Sequence, residues 1–273
     1  MGRIIAVCNQ KGGVGKTTTA VNLAAALALR STGRTLLVDI DPQGHATLGL
    51  GIDRKSIGIC VYEAMVEAQR VDDAIVRDRA ERLDVLPAST NLAGGEVELV
   101  DAEDREFRLA KALALVEPRY EHVIIDCPPS LALLTINGLA AARGVLVPVQ
   151  AEYLALEGMA RLLETIELVR KSVNPGLALE GVLLTMYSGR LSLAQQVAAE
   201  VRGFFKELVF DTVIPRSVRL AEAPSFGKTV FDYDGQSAGA LAYLAVADEL
   251  LARHRRPGTD DTARDRAAGE EAQ

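Results

Sequence analysis

The chain has 273 residues, a formal net charge of −7 and an apolar fraction of 49%. That composition excludes wholesale disorder, a collagen-like repeat and a disulfide scaffold, and the acidic balance excludes a globally basic nucleic-acid binder while still permitting a local basic patch. Aromatic residues make up only 4%, with no Trp, so the core must be aliphatic and stacking platforms for single-stranded nucleic acid are not expected.

In chain order, strand-like apolar runs fall at Ile4–Cys8, Thr35–Ile40, Arg82–Leu86, His122–Asp126, Gly144–Val149, Gly181–Met186 and Thr212–Ile214. Most are continuously apolar rather than alternating, which marks a parallel sheet covered on both faces. Helix-like stretches lie between or after them at Thr17–Arg30, Ile57–Ala68, Leu92–Val116, Leu131–Ala142, Glu157–Ser172, Leu193–Phe205 and Ser237–Arg256. The alternation predicts a single α/β domain over residues 1–256, a doubly wound and mostly parallel sheet with helices on both faces. Residues 257–273 have no apolar periodicity and read as a disordered tail. The segment Met1–Ala6 runs straight into the first strand, so neither a signal peptide nor a myristoylation pattern is expected. No apolar run is long enough to span a bilayer. The three cysteines, Cys8, Cys60 and Cys127, form no CxxC pair, which fits a reduced, cytoplasmic chain without a zinc site.

Ligands of such sheets gather at the carboxyl ends of the strands. After the first strand stands Asn9-Gln10-Lys11-Gly12-Gly13-Val14-Gly15-Lys16-Thr17-Thr18. Glycines here let backbone N–H groups turn inward as an anion nest, and the following helix adds its N-terminal dipole. Lys11, Gly12, Gly13, Val14, Gly15, Lys16, Thr17 and Thr18 would cradle the phosphates of a nucleotide. Lys16 would reach the β- and γ-phosphates, and the Thr17 hydroxyl would ligate Mg²⁺. Gln10 replaces the usual first glycine and Lys11 follows it, which is the deviant form of the phosphate loop with a second lysine. Asp39 and Asp41 end the second strand beside this loop, and Asp126 ends the fourth, in the position of an acid that holds Mg²⁺ through water. Cys127, with nothing visible to lower its pKa, reads as a packed residue rather than a nucleophile.

With these blocks, together with Leu36–Gly44, Ile124–Pro129 and Val213–Ser225, the sequence resembles the ParA/Soj/MinD family of deviant-loop P-loop ATPases, and within it the short ParA (Soj) chromosome-partitioning proteins. The resemblance covers roughly residues 3–251. It implies that Asp41 positions the attacking water and that Asp39 lies nearer the magnesium shell. It implies that Lys11 reaches the nucleotide of a neighbouring subunit, so that ATP closes a homodimer with two ATP molecules sandwiched between two chains. Met186 and Pro215 would flank the adenine. Arg190 and Arg219 would bind double-stranded DNA without sequence preference, placing the protein on the nucleoid. Intrinsic turnover would be slow, and a ParB-type centromere-binding partner would raise it through a short basic segment. His45 replaces the family's usual Asn and reads as a surface residue at the rim of the site. The short N-terminus favours the chromosomal type over the plasmid type.

Between residues 190 and 230 lie six Lys or Arg against four acids, a slight excess that a dimer would present twice. Other readings are a MinD-like membrane switch, an iron–sulfur carrier and a non-catalytic scaffold. Arg253–Gln273 lacks the large apolar residues of a membrane helix, the cysteines are not paired, and both Asp41 and Asp126 are present, so the partitioning reading is preferred.

Overall fold

The computed structural model describes residues 2–152 and 155–255. The strands are β1 (Arg3–Val7), β2 (Arg34–Asp39), β3 (Val76–Ala80), β4 (Leu83–Leu86), β5 (Tyr120–Asp126), β6 (Gly144–Gln150) and β7 (Ala178–Thr185). They form one sheet in the order β3-β4-β2-β5-β1-β6-β7. All neighbours are parallel except β3, which pairs antiparallel with β4. β1 lies between β5 and β6, so the first strand is internal, and Val7 stands opposite Asp126.

Successive side chains point to opposite faces of a strand. Ile4, Ala6, Leu36, Val38, Val123 and Ile125 therefore join a core beneath the helices Val61–Val66, Arg108–Ala114, Leu133–Ala141 and Ser192–Phe205. Ile5, Val7, Leu37, Ile124, Leu146 and Leu183 join a second core on the other face, beneath Lys16–Arg30 and Ala238–Arg255. Lys16–Arg30 is rich in alanine, the strongest helix former and a side chain small enough to bring the helix close to the sheet. Ala20, Ala24, Ala26 and Ala28 are fully buried there.

The doubly wound α/β expectation holds, with differences in detail. Thr212–Ile214 is not a ladder strand. The segment runs beside β7 through two isolated bridges, Val182 with Val209 and Tyr187 with Pro215. Phe210 N–H donates to the Val182 carbonyl (2.9 Å), and Ile214 N–H to that of Leu184 (2.8 Å). Gly181 is required at this approach, because a Cβ would meet the Phe210 ring and the Leu208 carbonyl. The long helix expected over Leu92–Val116 is two, Leu92–Leu99 and Arg108–Ala114, separated at Asp104 by a left-handed φ of 53°. The helix expected from Ile57 starts at Val61, where Cys60 and Glu63 form a capping box. β3 was not anticipated, because its Val-Arg-Asp-Arg-Ala sequence lacks strand-like apolarity. Charged side chains suit an edge strand, whose free backbone groups would otherwise invite pairing. The tail expected at 257–273 lies outside the described residues.

Candidate functional site: a phosphate loop and three carboxyls

The loop after β1 is fixed from outside as well as within. Asn9 donates its side-chain N–H to the Pro148 carbonyl of β6 (2.7 Å), and its side-chain oxygen accepts the Lys11 N–H (3.0 Å). The Thr185 hydroxyl at the end of β7 donates to the Val14 carbonyl (2.8 Å). Gly13 and Gly15 have φ of 76° and 86°, the left-handed region where a Cβ is strained. A Cβ on Gly12 or Gly13 would meet nothing within 4 Å, and both residues are exposed, so this part of the loop borders open space. Helix Lys16–Arg30 begins at Gly15 with no side-chain cap and no acid in its first turn. Its first N–H groups are left for an anion.

Lys16 is buried, and its ammonium donates to the Lys11 carbonyl (3.0 Å). Burial pulls its pKa below the usual value, against the attraction of Asp126 and Asp41. Lys11 is partly exposed, with no ion pair for its side chain among the described residues.

Asp126, at the end of β5, is completely buried, yet neither carboxylate oxygen has a hydrogen-bond partner. Burial and then the nearby Asp39 drive its carboxyl well above the ordinary range, while Thr17 beside it and Lys16 pull the other way. An orphaned buried carboxylate next to a threonine hydroxyl suits a divalent cation. Among the described residues, no group of three or more His, Cys, Asp or Glu is arranged to hold a metal. The Asp126 carboxylate beside the Thr17 hydroxyl suits Mg²⁺, which takes one or two protein ligands and completes its shell with phosphate oxygens and water.

Asp39 is used differently. Its Oδ2 accepts from the Thr47 amide (2.8 Å) and hydroxyl (2.7 Å), and its Oδ1 from the Asp41 amide (3.1 Å). Burial raises its carboxyl to about 6, with the two Thr47 bonds opposing. These bonds shape the loop after β2, and they leave the Asp39 carboxyl close enough to Asp126 to act on its charge, beside the position from which a magnesium shell would be reached. Asp41 is also buried, and its Oδ1 accepts the Gln43 N–H (2.8 Å).

Met186 and Pro215 line a cavity of about 220 Å³ together with Gly15, Thr18, Leu220 and Tyr243. The Tyr243 and Thr19 hydroxyls share a hydrogen bond of 3.1 Å beneath it. Met186 has a φ of 50°, uncommon for a side chain of this kind and placed at the wall of this cavity. The cavity opens beside the phosphate loop, with Gly15 and Thr18 on its wall. His45 lines a smaller crevice of about 40 Å³ with Thr17, Thr18 and Lys228. Cys127 is buried, and burial raises its thiol far above the ordinary value, as a packed residue requires.

Arg190 and Arg219 are both exposed. Arg190 has no ion pair among the described residues. Arg219 is flanked by two acids, Glu222 at 2.9 Å and Asp234 at 3.2 Å. Sequence reasoning assigned no role to Asn9, Thr47, Arg54, Thr185 or Tyr243. Only Asn9 stood inside a motif; the others reach the site through tertiary contacts that leave no local signal.

Residues 2–179 match the family described as an AAA domain. The chain is 55% identical over 252 residues to the sporulation initiation inhibitor protein Soj of Bacillus subtilis, covering 92% of this chain and 99% of that protein. It is 53% identical over 253 residues to the chromosome partitioning protein ParA of Myxococcus xanthus, covering 93% and 89%. Among solved structures it is similar to cobyrinic acid a,c-diamide synthase from Mycobacterium smegmatis with bound ADP and magnesium, with a TM-score of 0.82, 41% identity and coverage of 95% and 98%. The loop geometry and these relatives agree: the chain belongs to the ParA/Soj family of the ParA/MinD P-loop NTPases.

Proposed function

We propose that this protein is a DNA-partitioning ATPase that uses ATP and Mg²⁺ and works as a nucleotide-closed dimer on the nucleoid. The observation that carries the reading is the convergence, at the ends of β1, β2 and β5, of an open glycine-lined loop, buried Lys16, buried Asp41 and the unpartnered carboxylate of Asp126. The partitioning relatives, at 53% and 55% identity, take precedence over the synthase at 41%.

Lys11, Gly12, Gly13, Val14, Gly15, Lys16, Thr17 and Thr18 hold the phosphates, and Met186 and Pro215 enclose the adenine. Thr17 and Asp126 would hold Mg²⁺, with Asp39 nearer its shell, and the ion would neutralise phosphate charge. Asp41 orients water for in-line attack on the γ-phosphorus; the bond to the β–γ bridging oxygen breaks, leaving ADP and phosphate. Phosphoryl transfer is mostly positioning and charge stabilisation. Intrinsic turnover is slow, and a ParB-type partner accelerates it.

The Lys11 side chain, without an ion pair among the described residues, supplies a cation to the nucleotide of a second copy. A contact of that kind favours triphosphate over diphosphate and couples dimerisation to hydrolysis. Arg190 and Arg219 then appear twice on one dimer and bind duplex DNA without sequence preference. Residues 1–256 form the ATPase unit, with 257–273 as an appended tail.

No helix among the described residues is long and apolar enough to cross a membrane. Sedimentation with a non-hydrolysable ATP analogue, ADP, plain duplex DNA and anionic lipid vesicles tests the whole scheme. The expected result is a dimer with the analogue only, co-sedimenting with DNA and not with vesicles. A protein that stays monomeric with saturating analogue and Mg²⁺ refutes the dimer, and vesicle binding in place of DNA binding moves it to the membrane-switch reading.

A further inference from the structure

The turn that carries Asp41 is gripped by a side chain outside every motif described above. Arg54 follows helix His45–Gly49, and its guanidinium spans three backbone carbonyls. Nη1 donates to Gln43 (2.6 Å), and Nη2 to Pro42 (2.6 Å) and Ser89 (2.9 Å). Pro42 and Gln43 are the two residues directly after Asp41, and Ser89 lies just beyond β4. Asp41 holds the same turn from the other side. Its Oδ1 accepts the Gln43 N–H, and its carbonyl accepts the Gly44 N–H (2.8 Å). Gln43 is thus held at its carbonyl by Arg54 and at its amide by Asp41.

Gly44 completes the fit. Its φ is 60°, and a Cβ there would collide with the Arg54 guanidinium. The glycine thus serves both a left-handed turn and the close seating of the arginine. Arg54 Nε is buried without a partner, so the guanidinium is partly desolvated for the sake of its carbonyl contacts. None of its hydrogen bonds reaches the phosphate loop. A lysine cannot reproduce this arrangement, because a single ammonium lacks the planar fork that spans separated carbonyls.

We propose that Arg54 is a positioning residue for ATP hydrolysis, acting through Asp41 by locking the Pro42–Gly44 turn. The inference rests on the reading of Asp41 as the residue that orients the attacking water. With the clamp removed, the turn relaxes and the Asp41 carboxylate loses its aim, while the phosphate loop keeps its own supports at Asn9 and Thr185. Hydrolysis should therefore fall without loss of nucleotide affinity.

The test measures phosphate release in single turnover and the Kd of a fluorescent ATP derivative for the wild type, Arg54→Ala, Arg54→Lys, Asp41→Ala and the Asp41→Ala/Arg54→Ala double variant. Arg54→Ala should hydrolyse about ten- to a hundredfold more slowly, with a nucleotide Kd within about twofold of wild type. Arg54→Lys should recover only part of the rate, and it serves as the folding-safe variant if the alanine protein is insoluble. The double variant should be no slower than Asp41→Ala alone, as expected for residues acting as one unit. Normal hydrolysis by both Arg54 variants beside an inactive Asp41→Ala overturns the clamp and spares the Asp41 reading. Parallel loss of rate and affinity also overturns it, making Arg54 a staple of the fold. Normal hydrolysis by Asp41→Ala overturns the Asp41 reading itself, and the inference with it.

Discussion

Replacing Asp126 with Asn should stabilise the metal-free protein while greatly reducing its response to Mg²⁺. The carboxylate has no exposed surface and no hydrogen-bond partner of good geometry among the described residues, with only the Thr17 hydroxyl beside it, and Asp39 and Asp41 add like charge nearby. Its folded pKa is therefore raised above the ordinary 3.8. For an acid shifted upward the sign is unfavourable: the folded state is penalised as pH rises from the unfolded value through the folded one, and the penalty is in force at neutral pH. An unsatisfied buried polar group costs about 1–3 kcal/mol, and a charged one more. Asn leaves a neutral group in the same place and removes the repulsion from Asp39. A gain of about 1–3 kcal/mol corresponds, at about 2 °C per kcal/mol for a chain of this size, to a Tm higher by roughly 2–6 °C. Thermal unfolding in a chelator, and again with ADP and Mg²⁺, reads both effects. Wild type should gain stability from the metal nucleotide by mass action, and Asp126→Asn should gain far less. A chelated Asp126→Asn protein that melts below wild type would refute the reasoning, because the carboxylate would then be making favourable contacts.

Lys16→Ala removes the ammonium from the phosphate loop and should weaken ATP binding at least a hundredfold, about 2.7 kcal/mol or more, by isothermal titration; retained tight binding would contradict the loop assignment. Glu222→Gln leaves Arg219 with one acidic neighbour in place of two, and should raise ATP-dependent DNA retention roughly two- to fivefold, the range expected of an exposed ion pair. The salt dependence, with about four phosphate contacts per dimer, should have a slope of roughly −3 to −4 in log–log form; unchanged retention would place the DNA surface away from Arg219. His122 is buried, with Nε2 on the Ser31 hydroxyl (3.0 Å) and Nδ1 unpartnered, and burial lowers its pKa below 6.5. A depressed histidine contributes stability that is fully present above its unfolded pKa and declines as pH falls through the folded value, by at most about 1.4 kcal/mol per pH unit. Urea unfolding at stepped pH should show that decline in wild type and a flatter profile in His122→Gln.

The legible parts of this protein were those whose cause is local. A continuous apolar run such as Val123–Ile125 reads as a buried strand wherever it stands, and an acid at its end falls at the carboxyl edge of a parallel sheet. The glycine-lysine-threonine loop carries its own conformational demands, so its place between β1 and the first helix followed from seven or eight residues. β3 escaped because its Arg and Asp residues are tolerated only at an edge, and edge position is a property of the assembled sheet. Thr212–Ile214 has strand-like composition, but Phe210 and Ile214 bond to β7 at isolated points, and the ladder between them never closes. The contacts of Asp39 and Arg54 were hidden for the same reason. Asp39 faces Thr47 eight residues on, and Arg54 reaches back to carbonyls that no side-chain pattern announces.

The hydrogen bond between Thr19 and Tyr243 joins residues 224 positions apart, tying the helix behind the phosphate loop to the last described helix. The strand leading into that loop is flanked by β5 and β6, both synthesised much later. During translation the nucleotide pocket therefore exists only in outline until the helix Ala238–Arg255 has left the ribosome. A product cut short before Ala238 would carry every residue of the phosphate signature and still lack the wall against which that helix rests.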